Sequence, residues 1–147
     1  MRHEEIRLSV LQLLYQKYFE GRRFDYQIVD KIYDELVFDK IVDKEAYYGD
    51  ILYLHKRHLI DGEMILGRSY PPWVRINENG IDYVESITDY LSERLPVALS
   101  RDTDKEKLRE ISKETNTNTK LKKIMETAKL DSDIWTNIAM LIRAFSG

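Results

Sequence analysis

His55 and His58 stand three positions apart in the stretch LHKRHLIDG, a spacing that sets two imidazoles on one face of a helix and can seat a metal ion. No thiol completes such a site, because the chain contains no cysteine, and no carboxylate on the same helix closes the set. We therefore expect neither a metal site nor a cofactor. Covalent chemistry needs a nucleophile beside a base, or two carboxylates with separated pKa values, and the serines and aspartates here are scattered through solvated runs. No glycine-rich phosphate cradle occurs either, so the sequence reads as non-enzymatic. What remains is charge: Lys56 and Arg57 lie between the two histidines. Cations at the end of a helix complement its dipole without any ligand, or they meet phosphate.

The elements that position these residues follow from periodicity. Ile6, Val10, Leu13, Leu14, Lys17 and Tyr18 recur at helical spacing behind Glu4 and Glu5, and Gly21 ends that helix. RRFDY offers a short strand at Phe24. A second helix runs through Ile28, Ile32, Tyr33 and Leu36 with Asp25 as its cap. The third, about 44–59, begins at the cap Asp43 and stacks Tyr47, Ile51, Leu54 and His58 on one side. Asp61-Gly62 predicts a turn, EMILGR a strand, SYPP a second turn, and WVRIN a strand alternating Trp73 and Arg75 with Val74 and Ile76. Helical period resumes in NENGIDYVESITDYLSERL, with Pro96 just beyond its end. The aromatic residues Tyr15, Tyr18, Phe19, Phe24, Tyr26 and Tyr33 read first as core filling and second as the wall of an effector pocket.

The 147 residues suit a domain over 1–95 followed by a helical extension over 96–147. The extension reads as a charged helix with sparse apolar positions, a polar break at Thr115–Thr119, a helix over KLKKIMETAKL, and a last one capped by Asp131 or Ser132. That last helix carries Ile134, Trp135, Ile138, Leu141, Ile142 and Phe145, too broad an apolar face to stay in water, so it must dock on the same chain or on a second copy. MRHEEIRLSVLQLLYQKYFEG is too charged for the core of a signal peptide, and no long apolar run suggests a membrane span; we expect a soluble cytoplasmic protein without membrane contact.

Three helices, a hairpin and a further helix, in that order, resemble the winged-helix (winged helix-turn-helix) superfamily. YLHKRHLIDGEMIL is similar to its third helix and the entry to the wing, and INENGIDYVES to the exit from the wing. The likeness covers roughly residues 3 to 93 and is nearest the small PadR-like, MarR-like or YjcQ-like regulators. It departs at His58, where these families usually carry glycine, so that corner needs another way to relieve its backbone. The fold implied is mainly α with a small β-hairpin wing, over about 63–77, plus the C-terminal helices.

The resemblance implies a transcriptional regulator whose third helix and wing contact double-stranded DNA, acting as a homodimer joined through the later helices. On that reading Lys44, Arg68 and Arg75 meet phosphates, Tyr48, Leu52 and Lys56 meet bases, Arg57 adds positive charge to the DNA contact near the helix end, and Tyr70 reaches sugar or groove. Charge argues the other way. Residues 1–95 hold 13 Lys+Arg against 18 Asp+Glu, net −5, and residues 96–147 hold 10 against 8, net +2. Glu45 and Asp50 would also repel phosphate. A winged-helix module that binds a protein partner through Tyr48, Leu52 and Tyr53 is the alternative, because tyrosine-rich surfaces suit interfaces without net basicity.

Overall fold

The structure, a computed structural model, describes residues 3–22, 25–36 and 43–146. It is mainly helical with a small antiparallel sheet, and the chain divides into two compact units, Met1–Tyr83 and Val84–Gly147. Among the described residues no helix is long and apolar enough to cross a membrane.

Helix α1 (His3–Lys17) carries more than one apolar stripe. Ile6, Leu8, Val10, Leu11, Leu13 and Leu14 are all buried, the mark of a helix enclosed on several sides. It ends in one wide turn of π type, Tyr18–Arg22, where Gly21 at φ +88° takes a conformation that costs other residues strain. Strand β1 is only Gln27–Ile28, and α2 spans Val29–Glu35. Ile28, not Asp25, precedes its first turn, and no side chain caps it. The strand expected at Phe24 lies outside the described residues.

Helix α3 (Lys44–Lys56) starts where expected: Asp43 accepts the Glu45 N–H at 3.1 Å. Tyr47, Ile51 and Leu54 are 0%, 0% and 1% exposed, so the inward face matches the periodicity. The Tyr47 hydroxyl donates to the Val29 carbonyl at 2.6 Å, which joins α3 to the start of α2. Asp50 is a correction. Instead of standing outside to repel phosphate it is buried, accepting from Arg7 Nε at 2.8 Å and lying 2.9 Å from His3 Nδ1.

The helix stops three residues earlier than the sequence pattern indicates, because His58 turns the chain. It adopts φ +59°, the left-handed conformation usually left to glycine. Two side chains compensate: Asn77 and Asn79 both donate to the His58 carbonyl, at 3.0 and 3.3 Å. His58 is therefore exposed at the corner and does not continue the inward stripe. The corner also explains a glycine. A Cβ on Gly80 would lie 2.1 Å from the Leu59 carbonyl oxygen, so helix α4 (Glu78–Ala98) can approach so closely only with glycine there.

Asp61-Gly62 is not a turn. Both lie in β2 (Ile60–Gly62), which pairs antiparallel with β3 (Trp73–Ile76), and β1 pairs with the other edge of β3, giving the order β1-β3-β2. EMILGR is accordingly not a strand. The ladder runs from Ile60↔Ile76 to Gly62↔Val74, and two steps further it would meet Pro72 and then Pro71, which have no N–H to donate. Val74 and Ile76 are buried while Trp73 is exposed, so the alternation in WVRIN holds.

Helix α4 runs past Pro96 to Ala98. In the last turn proline forfeits one hydrogen bond only, and Leu99 N–H still reaches the Leu95 carbonyl at 3.1 Å. In the second unit α5 (Asp102–Ser112), α6 (Thr117–Lys129) and α7 (Ser132–Ser146) follow, with α6 touching both neighbours. The polar break is shorter than TNTNT suggests, because Asn116 accepts the Thr119 N–H at 2.9 Å and starts α6 inside it. Asp131 plays the same part for α7 through the Asp133 N–H. Ile134, Trp135, Ile138 and Ile142 are all buried within the one chain.

Candidate functional site

The face of α3 opposite Tyr47, Ile51 and Leu54 presents Glu45, Gly49 and Lys56 in water, with Tyr48, Leu52, Tyr53 and His55 half-buried around them, and Lys44 is exposed in the first turn. These positions follow from the helical period, and each side chain has a distinct tether. Lys44 Nζ lies 5.2 Å above the Tyr33 ring. Two guanidinium groups lie near the Tyr53 ring, Arg7 at 3.5 Å and Arg57 at 5.7 Å from its centroid. His55 Nε2 is 2.9 Å from the Gly62 carbonyl, tying the end of α3 to β2. Lys56 and Arg68 are exposed and make no ion pair among the described residues.

Tyr48 links α3 to the hairpin. Its ring stacks on Tyr70 with centroids 3.9 Å apart and planes 5° from parallel, and its hydroxyl donates to Asp30 Oδ1 at 2.5 Å. The bond to the Asp30 carboxylate, followed by burial, holds this phenol well above its ordinary pKa of 10.0. In Tyr47 burial is the larger cause of a similar rise, with the charge of Asp30 second. Tyr48 is thus an oriented hydrogen-bond donor whose partner is already present.

Between β2 and β3 the chain reverses at residues 65–68, where Arg68 N–H bonds the Ile65 carbonyl at 2.9 Å and Gly67 sits at φ +85°. Met64 and Ile65 are 43% and 41% exposed, and Leu66 is fully exposed at 102%. The return limb is stiff. Pro71 lies where a Cβ on Gly62 would be only 2.9 Å away, and the Pro72 carbonyl accepts the Val29 N–H at 2.9 Å.

No protein-family model, curated protein or solved structure matches the chain.

Of the side chains singled out in the sequence, Lys44, Tyr48, Leu52 and Lys56 follow one another at four-residue steps along α3, Arg57 lies just past its end, and the Tyr48–Tyr70 stack brings the hairpin beside them. Arg68 is exposed on the loop. Arg75 is committed elsewhere: it is half-buried, 4.0 Å from Asp61 Oδ2 and 4.5 Å above the Tyr26 ring. His55 and His58 do not share a helix face, since His58 has left the helix, and among the described residues no three His, Asp or Glu side chains group closely enough to hold a metal ion. They line an open recess of about 630 Å³ with Tyr26, Lys56, Asp61 and Glu63. Sequence reasoning missed the Asp30–Tyr48–Tyr70 arrangement, which joins three segments and has no periodic signal. It also missed the exposed apolar loop, for which the Pro71-Pro72 pair was the available clue.

Proposed function

We propose that the first unit is a winged-helix domain and that the protein is a cytoplasmic DNA-binding transcriptional regulator, contacting duplex DNA through α3 and the β2–β3 loop. The observation that carries the proposal is the Tyr48–Tyr70 stack, which sets the hairpin directly beside α3. Support for the fold comes from the element order and from the sheet order β1-β3-β2, in which a short strand before α2 completes a three-stranded sheet with the hairpin. Burial of Asp50 removes one carboxylate that would have opposed phosphate, and Lys44, Lys56, Arg57 and Arg68 are the exposed cations of this surface. Leu52 faces base edges as an apolar contact, and Arg75 is left out of the interface. No enzymatic step is part of the proposal.

A homodimer is the proposed assembly, since a two-fold pair matches symmetric half-sites. Most of the apolar face of α7, Ile134, Trp135, Ile138 and Ile142, is buried within the chain and no longer calls for a partner, while Met140 and Phe145 stay exposed. Sedimentation gives the mass directly.

A protein-binding module is the second reading, favoured by a specific observation: Tyr48 spends its hydroxyl on Asp30, and the neighbouring loop exposes Met64, Ile65 and Leu66. The double variant Lys56→Ala/Arg68→Ala separates the two. If DNA is the partner, its affinity falls and the slope of log K against log salt shrinks by about 2, roughly one per cation removed from the interface. An unchanged slope removes these cations from the interface.

A further inference from the structure

We infer that the turn at residues 65–68 is a wedge for the minor groove of duplex DNA, with Leu66 entering between adjacent base pairs and Arg68 lying in the groove beside it. This deepens the DNA-binding reading above and rests on it. Three observations carry it.

The first is shape. Leu66 is fully exposed at the apex of a four-residue reversal, and Gly67 after it has no side chain, so a single apolar group projects ahead of the half-exposed Met64 and Ile65. A flat protein-binding patch needs several large side chains in one plane. A wedge needs one at the front, and leucine, isoleucine and methionine are the types that enter base steps from the minor groove.

The second is charge. From Met64 through Arg75 the sequence contains no Asp or Glu, and its charged residues are Arg68 and Arg75. Among the described residues Arg68 makes no ion pair, and it follows the apex by two residues. The minor groove, roughly 6 Å wide, attracts such a guanidinium through its concentrated negative potential.

The third is stiffness. Opening a base step works against stacking, so the inserting element must not yield. Here the loop is braced by Pro71 over Gly62, by the Val29 N–H on the Pro72 carbonyl, and by Tyr70 on Tyr48. The last brace also ties the wedge to α3, so that DNA seated on the helix meets the tip in one fixed register.

The test uses the full chain, random-sequence duplex with 2-aminopurine distributed along it, and the variants Leu66→Ser and Leu66→Met. Because Leu66 is fully exposed, both variants should keep the wild-type melting temperature. Binding of the wild type should raise 2-aminopurine emission as bases unstack. Leu66→Ser should bind about tenfold more weakly, the loss expected for one leucine side chain removed from an interface, and abolish the rise. Leu66→Met should restore both. Duplex bound equally well by wild type and serine variant, without an emission change, overturns the wedge and leaves the DNA reading intact. Absence of duplex binding at low salt overturns both. Leucine-dependent binding to phosphatidylserine vesicles in place of duplex would make the tip a membrane contact and also overturn the inference.

Discussion

Gly80→Ala sets two ordinary expectations against each other. Gly80 lies in the first turn of α4, where alanine is the better helix former by about 1 kcal/mol, so propensity alone predicts a more stable protein. Geometry predicts the reverse. The new methyl would sit 2.1 Å from the Leu59 carbonyl oxygen and 2.6 Å from Ile76 Cγ1, far inside contact distance, and the first of these is backbone that cannot rotate away. Relief requires α4 to move off the corner, stretching the two asparagine bonds to the His58 carbonyl and the 2.9 Å bond from Gly80 N–H to Asn77 Oδ1. Overpacking of this kind costs about 1 to 3 kcal/mol, and loosened hydrogen bonds at the corner add about 1 kcal/mol each. We expect a net loss of about 3 to 5 kcal/mol in urea unfolding, after the propensity gain of about 1 kcal/mol is taken off. Gly49→Ala is the control: it sits mid-helix in α3 with nothing within 4 Å of the added carbon, and should gain about 0.5 to 1 kcal/mol. A Gly80→Ala protein as stable as the wild type would refute the close approach of α4 to the corner.

Arg7→Met leaves the buried Asp50 carboxylate with His3 as its partner among the described residues and should cost about 3 kcal/mol in the same assay; a loss under 1 kcal/mol would contradict the pairing. Tyr47→Phe removes the bond to the Val29 carbonyl and should cost about 1 to 2 kcal/mol by urea titration. The raised Tyr47 phenol also sets a pH dependence. Its contribution is complete below the unfolded pKa of about 10.0 and is lost as pH climbs above that, because the unfolded chain releases the proton first. Urea midpoints should therefore fall more steeply above pH 10 in the wild type than in Tyr47→Phe, and parallel curves would rule the linkage out.

The parts of the fold legible in the sequence are those set by local period. Tyr47, Ile51 and Leu54 face inward as their spacing requires, Asp43 caps α3, and Val74 and Ile76 alternate with Trp73. Element ends were less legible wherever a distant group decides them. His58 turns left-handed because Asn77 and Asn79 reach it from some 20 positions away, and EMILGR stays out of the sheet because prolines lie across from it. Asp50 looked like a surface charge because its partners, His3 and Arg7, come from another helix. At the candidate site, helical period placed Tyr48, Leu52 and Lys56 together, but only the folded chain brings Asp30 and Tyr70 to them.

The most direct test of the proposed function is the affinity of the full chain for random duplex DNA across a salt series. Four exposed cations, Lys44, Lys56, Arg57 and Arg68, predict a linear fall of log K with log salt at a slope of about −3 to −4. No binding at the lowest salt, or an affinity indifferent to salt, would contradict DNA as the partner.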